Sequence, residues 1–160
     1  AGSEFWFVID LGIAGASQAS DGSTLADTDK KPKLSTADVR ILLAEDNKDN
    51  RDIAVMLLED SGYTNITTTE NGEAALQKMT AEHYPIILMD CQMPRMDGYE
   101  ATRCLRAQSS PNKRTPMIAI TAHAMQGDKN KCLEAGMNDY ISKPFTAGDL
   151  LEKIEQWLEA

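Results

Sequence analysis

Basic residues are in short supply. The 160-residue chain sets 16 Lys and Arg against 25 Asp and Glu, a formal charge of −9. That deficit argues against a duplex nucleic-acid binder, whose phosphate contacts need clustered cations. It also disfavours electrostatic docking on an anionic membrane. Cysteine is nearly absent. Cys91, Cys104 and Cys132 are odd in number and widely spaced, with no CxxC pair and no Cys/His grouping. A structural zinc site is therefore excluded, and three reduced thiols in a cytosolic protein are expected. Long apolar runs are missing too: no window approaches the roughly 18 residues of a membrane span. The stretch Phe5 to Ile13 is short, broken by Asp10 and without a basic lead, which speaks against a secretory signal. No internal repeat is visible. What remains is 42% apolar and 26% charged, too rich in core residues for a disordered chain. The length allows one ordinary domain plus an appendage.

Composition divides the chain into three zones. Residues 1–12 hold one strand-like run, with Phe5, Phe7, Ile9 and Leu11 alternating onto one face. Residues 13–37 are rich in Ala, Gly, Ser, Thr, Asp and Lys, a flexible linker too poor in large apolar groups to offset ordering entropy. Residues 38–160 form the folded domain, in which strands and helices alternate. Val39 to Ala44 reads as a buried parallel strand. Asn47 caps a helix to about Asp60, with Ile53, Met56 and Leu57 at helical spacing, and Ser61-Gly62 stops it. Ile66 to Thr69 is β-branched throughout and reads as a strand. Asn71-Gly72 turns into a helix carrying Ala75, Leu76 and Met79. Ile86 to Met89 is the most apolar strand and so the central one. A helix follows Asp97-Gly98 to about Ala107. Met117 to Ile120 is the fourth strand. A helix around Asp128–Ala135 ends at Gly136, and Asp139 to Ile141 is a short last strand. Thr146 and Asp149 form a capping box for a final helix whose apolar face is Leu150, Ile154, Trp157 and Leu158.

This order predicts an α/β fold: a five-stranded parallel sheet with helices on both faces. Right-handed crossovers bring all strand C-terminal ends to one edge, where such sheets bind ligands. The residues just past those ends are Glu45 and Asp46, Asp90, Thr121, and Lys143 followed by Pro144. Crowded carboxylates repel. A hard divalent cation such as Mg²⁺ relieves that repulsion with two or three protein oxygens and several waters. Lys143 adds a point charge suited to a phosphoryl oxygen, and Thr121 a hydroxyl donor. A metal, a cation, a hydroxyl and a nucleophilic carboxylate together match phosphoryl transfer.

Four strings carry a resemblance: Ile41-Leu42-Leu43-Ala44-Glu45-Asp46-Asn47, Leu88-Met89-Asp90-Cys91-Gln92-Met93-Pro94-Arg95-Met96-Asp97-Gly98, Ile118-Ala119-Ile120-Thr121-Ala122, and Asp139-Tyr140-Ile141-Ser142-Lys143-Pro144. In this order, each at a strand end, they make residues 38–160 resemble the receiver domain of two-component response regulators, most of all those attached to hybrid sensor histidine kinases. The resemblance implies a flavodoxin-like strand order 2-1-3-4-5. It implies that Asp90 takes a phosphoryl group from a phosphohistidine. Glu45, Asp46, Asp90 and the main-chain carbonyl of Gln92 would hold Mg²⁺ (or Mn²⁺). Thr121 and Lys143 would bind phosphoryl oxygens, and Tyr140 would be the switch aromatic that turns inward as Thr121 moves. The Lys143-Pro144 bond would be cis. Gln92 and His123 match positions that tune the lifetime of the phosphorylated state. The implied partner is a histidine kinase core or a histidine phosphotransfer protein, in the cytoplasm, with no nucleic acid and no direct membrane contact; the oligomeric state stays open. The receiver would catalyse its own phosphorylation and dephosphorylation, and it lacks the kinase core. Residues 2–11 resemble the closing strand of a histidine kinase ATP-binding domain, so the chain reads as the C-terminal piece of a hybrid kinase.

Simpler readings exist for each feature. Glu45-Asp46 alone is an acid pair favoured at a helix start. Asp97-Gly98 is a turn signal to which no chemistry is assigned. Cys91 points away from the face that Asp90 uses and is a small buried residue. His83 lies in a solvated loop, and neither histidine sits in a phosphodonor motif. Trp157 and the methionines fill the core or helix surfaces. A docking module that is never phosphorylated is the main rival, and the complete acid, hydroxyl and lysine set argues against it. A flavin mononucleotide carrier needs a phosphate loop where Glu45-Asp46 stands. A haloacid dehalogenase-like phosphatase needs a second acid where Gln92 stands.

Overall fold

Two of the strand runs, Ile86–Asp90 and Met117–Thr121, are buried at every position, which is the signature of strands covered on both faces. The computed structural model describes residues 35–122 and 126–160. In chain order it contains β1 (Arg40–Ala44), α1 (Lys48–Asp60), β2 (Asn65–Thr69), α2 (Gly72–Ala81), β3 (Ile86–Asp90), α3 (Gly98–Ala107), β4 (Met117–Thr121), α4 (Gln126–Ala135), β5 (Asp139–Ser142) and α5 (Ala147–Leu158). The strands form one parallel sheet in the order β2-β1-β3-β4-β5. A short 3₁₀ turn, Thr36–Asp38, precedes β1 and falls at the end of the stretch read as linker. The remnant strand (1–12) and most of the linker lie outside the described residues.

Alternation along the central strands sorts their side chains into two cores. Leu42, Ala44, Ile87, Met89, Met117 and Ala119 point to one face and meet Ala75 and Met79 of α2 and Ala101 and Leu105 of α3. Ile41, Leu43, Ile86, Leu88, Ile118 and Ile120 point to the other and meet Ala54 and Leu58 of α1 and Leu150 and Ile154 of α5. A period of two in the strands against 3.6 in the helices makes this partition automatic once the sheet has both faces covered.

Local signals set the ends. Asn47 accepts from the amide of Asn50 and Asn71 from that of Ala74, each capping its helix. The capping box of Thr146 and Asp149 is complete. Gly62 (φ +90°) and Gly136 (φ +100°) occupy the left-handed region after α1 and α4. α1 departs from the expected pattern: it buries Ala54 and Leu58, while Ile53 and Met56 are about half exposed (50% and 53%). β1 starts one residue later than expected, β5 runs one residue further, and α4 begins at Gln126.

The loop between α3 and β4 is anchored by two polar side chains. Asn112, fully buried, donates to the carbonyls of Met79 and Glu82 and accepts from the amide of Tyr84 and the hydroxyl of Thr115. Arg106 donates to the carbonyls of Asn112, Lys113, Thr115 and Gly136 and to the side-chain oxygen of Asn138. All five guanidinium donors are thus used. Asn138 in turn accepts from the amide of Met117 at the start of β4.

Candidate functional site

The sheet order reverses between β1 and β3, and a crevice at the carboxyl ends of the strands is expected there. β1 ends at Ala44, paired with Met89, so Glu45 stands beside Asp90, the last residue of β3. The Glu45 amide donates to Thr69 of β2 (3.0 Å), and its carbonyl accepts from Arg51 of α1 (2.9 Å). Both bonds fix the backbone from which the acid projects. Glu45 and Asp90 are only 2% and 3% exposed, whereas Asp46 is open to solvent.

Lys143 joins the two buried acids. Its Nζ lies 2.7 Å from Glu45 Oε2 and 2.7 Å from Asp90 Oδ2. The other oxygens are also engaged: Asp90 Oδ1 accepts from the Gln92 amide (2.9 Å), and Glu45 Oε1 from the Asn47 amide and the Asn50 side chain. Burial holds the Glu45 carboxyl above the usual range, helped by the Asp90 charge and opposed by Lys143. Burial also works against the Lys143 ammonium, but its hydrogen bonds to Asp90 and Glu45 outweigh it and hold the group above its usual range. The Lys143 amide donates to the Thr121 carbonyl (2.7 Å), tying the lysine to the end of β4, and the Lys143-Pro144 bond is cis. Thr121 itself is buried.

Glu45, Asp46 and Asp90 each offer a carboxylate oxygen within 4.8 Å of the others. Three carboxylates and one ammonium leave two uncompensated negative charges in a partly buried site. A hard divalent cation matches that deficit in charge and in ligand type, and exposed Asp46 leaves one side open for the waters that Mg²⁺ retains. The donor set therefore fits the metal that the sequence implied.

The remaining residues singled out in sequence fall as follows. Gln92 is exposed, and its amide bonds the Asp90 side chain as described. Tyr140 is half-buried on β5, with Lys129 Nζ 5.5 Å from its ring centre. Cys91 is buried in the core facing α2 and α3, as expected. His83 is exposed in the loop before β3. Trp157 is partly buried and donates to Asp139, and Met79, Met89, Met117 and Met137 are buried. His123 lies outside the described residues.

One positioning residue was passed over as a turn signal. A methyl group at Gly98 would run into the carbonyl oxygen of Asp90 and lie 2.9 Å from Met89 Cγ. The Gly98 amide also donates to the carbonyl of Cys91 (3.2 Å). α3 thus starts flush against the backbone of the central acid, and only glycine leaves room for it. The Asp-Gly pair eight residues after Asp90 was the available signal, but it could not say what the glycine packs against.

Comparison with known proteins agrees with this geometry. The family model for the response regulator receiver domain matches residues 41–155. The chain is 38% identical over 128 residues to the sensor protein GacS of Pseudomonas syringae pv. syringae, covering 79% of this chain and 14% of that protein. It is 43% identical over 122 residues to hybrid signal transduction histidine kinase B of Dictyostelium discoideum, covering 70% of this chain and 6% of that protein. It therefore spans a small fraction of these relatives' length. Among solved structures, the receiver domain of sensor histidine kinase PA1611 from Pseudomonas aeruginosa PAO1 superposes with a TM-score of 0.70 at 43% identity, covering 76% of this chain and 98% of that one. That structure has a magnesium ion coordinated in its active site cleft.

Proposed function

This chain belongs to the response regulator receiver domain family, and on that premise we propose that Asp90 is its phospho-acceptor, served by Glu45, Asp46, Thr121 and Lys143. It is a receiver domain of two-component signalling, homologous to the receivers of hybrid histidine kinases. The observation that carries the assignment is the Lys143 ammonium held at 2.7 Å from both buried acids, with Asp46 at the open rim.

In this reading an oxygen of Asp90 attacks the phosphorus of a phosphohistidine. The P–N bond breaks, the imidazole departs, and an aspartyl phosphate remains. Glu45, Asp46, Asp90 and the Gln92 carbonyl would hold Mg²⁺ (or Mn²⁺), which when bound would supply charge neutralisation for the transferring phosphoryl group. Lys143 moves its hydrogen bond from the Asp90 carboxylate to a phosphoryl oxygen, and the Thr121 hydroxyl donates to another. Because the Lys143 amide is bonded to the Thr121 carbonyl, a shift at the end of β4 is felt at β5, where Tyr140 is the switch aromatic.

The donor is a histidine kinase core or a histidine phosphotransfer protein. Exposed Ile53 and Met56 lie on α1, the helix that starts two residues past Asp46, and offer such a partner an apolar footing beside the acid site. Residues 38–160 are the receiver segment of a hybrid kinase. It acts in the cytoplasm; among the described residues no helix is long and apolar enough to cross a membrane.

The metal assignment is tested by calorimetric titration with Mg²⁺. Wild-type protein should bind one ion, and Asp46→Asn should weaken binding by about tenfold or more, at least the cost of losing an outer partner of a metal ligand. Asp46 is exposed and unneeded for packing, so the variant folds normally. Equal Mg²⁺ affinity in the two proteins overturns the site.

A further inference from the structure

The phosphoryl chemistry leaves two buried nucleophiles unused. Cys91 follows Asp90 directly, and Cys132 sits on α4. Their sulfurs are 3.9 Å apart, and both residues are almost fully buried. Main-chain hydrogen bonds set the backbone from which each thiol projects. The Cys91 amide donates to Ile120 of β4 and its carbonyl accepts from Gly98, while the Cys132 carbonyl accepts from the Met137 amide just past α4. In sequence the two cysteines are 41 residues apart, and only the fold makes them neighbours.

We propose that Cys91 and Cys132 are a reversible redox pair: a small peroxide converts them to an intramolecular disulfide that pins α4 to the end of β3 beside Asp90. The sulfurs must close from 3.9 Å to a bond of about 2.05 Å, a move within reach of side-chain rotation and a slight shift of the helix. Cys132 sits on α4 and Cys91 at the end of the central strand, so local opening of the helix brings peroxide first to Cys132, which makes it the attacking member.

Its thiolate attacks one oxygen of hydrogen peroxide, the O–O bond breaks, and Cys132 becomes a sulfenic acid with release of hydroxide. The Cys91 thiol gives its proton to that hydroxide. Its sulfur then attacks the sulfenic sulfur and expels a second hydroxide, which is protonated to water. Two thiols lose two electrons and two protons, and one peroxide becomes two waters. A dithiol reductant reverses the change.

Burial excludes bulky oxidants and makes the reaction wait on local opening of α4. That helix is thinly anchored: of its described residues only Cys132 and Ala135 are buried. α4 follows Thr121 in the chain, so a covalent tie from α4 to Cys91 opposes any rearrangement that the phosphoryl site imposes on the end of β4. The effect on phosphoryl uptake rests on the reading of Asp90 given above; the bond itself does not.

Protein carrying Cys104→Ser, with the receiver otherwise intact, is treated with hydrogen peroxide and mapped by peptide mass spectrometry without reduction. The expected result is a Cys91–Cys132 linked peptide that disappears with dithiothreitol. Uptake of phosphate from acetyl phosphate and Mg²⁺ should be about 5- to 10-fold slower in the oxidised protein, recover on reduction, and become peroxide-insensitive in Cys132→Ser. Free Cys91 and Cys132 after peroxide treatment, or hyperoxidised monothiols in place of the link, overturn the redox pair. A link that leaves uptake unchanged overturns its regulatory role. Reduced protein that takes up no phosphate at all counts instead against the phospho-acceptor assignment, and the mapped link still decides the redox pair.

Discussion

Replacing Lys143 with Met should destabilise the protein in chelator by about 2 kcal/mol, and saturating Mg²⁺ should return most of the loss. The lysine stands 2.7 Å from two carboxylates that are 3% and 4% exposed. Removing one partner of a buried ion pair strands the other charge, at a cost of roughly 3–5 kcal/mol when the pair is fully enclosed. Lys143 keeps 21% of its side chain in solvent, so screening reduces the cost below that range, to about 2 kcal/mol. A divalent cation that binds only the folded state restores the charge balance and stabilises by mass action. The wild-type contribution is pH-dependent in a defined sense. Its partners raise the ammonium above its usual range in the folded state, so the stabilisation is fully present below lysine's unfolded value and fades only as pH rises through the raised one. Phosphoryl uptake should also fall by about 10²-fold or more, because a fixed cation aimed at the transferring group is lost. Chemical denaturation in EDTA and in Mg²⁺ reads the first effect. A variant as stable as wild type in EDTA would mean that Glu45 and Asp90 do not depend on the lysine.

Replacing Asn112 with Ala should cost about 3 kcal/mol, far from the acid site. Four hydrogen bonds converge on this one fully buried side chain, and three of their partners are main-chain groups. Truncation leaves those groups without partners, at roughly 1–3 kcal/mol for each one that water cannot reach. Asn112→Asp keeps the shape but turns a double donor into an acceptor facing the carbonyls of Met79 and Glu82, so it should do no better. The loss should show as a lower urea midpoint with an unchanged slope. Arg106 grips the carbonyl of the same residue, so substitutions at the two sites should not add. A loss below about 1 kcal/mol would show that the loop is held by something else.

Asn112 and Arg106 also mark where the sequence stops being readable. The sheet was legible because a strand buried on both faces must be an unbroken apolar run, as Ile86 to Met89 is. Helix starts were legible because Asn47, Asn71 and Thr146 satisfy amides only a few residues away. The site was legible because parallel strands deliver their last residues to one edge, whatever separates them in sequence. Asn112 and Arg106 have no such local signature. Most of their partners are backbone carbonyls and amides, which every residue carries, brought from distant loops. The closeness of Cys91 and Cys132 was hidden for the same reason. In α1 the apolar spacing of Ile53, Met56 and Leu57 was visible, yet the inward stripe is Ala54 and Leu58. Periodicity alone could not separate a core face from one exposed to solvent.

The most direct measurement is phosphoryl uptake followed by intact-mass spectrometry after incubation with acetyl phosphate and Mg²⁺. Wild-type protein should gain one phosphoryl group that is lost on treatment with hydroxylamine, as an acyl phosphate is. Chelation of Mg²⁺ should abolish the gain, and Asp90→Asn should show none. Uptake by Asp90→Asn at the wild-type level, or wild-type uptake indifferent to chelator, would contradict the assignment of Asp90 and of the acids around it.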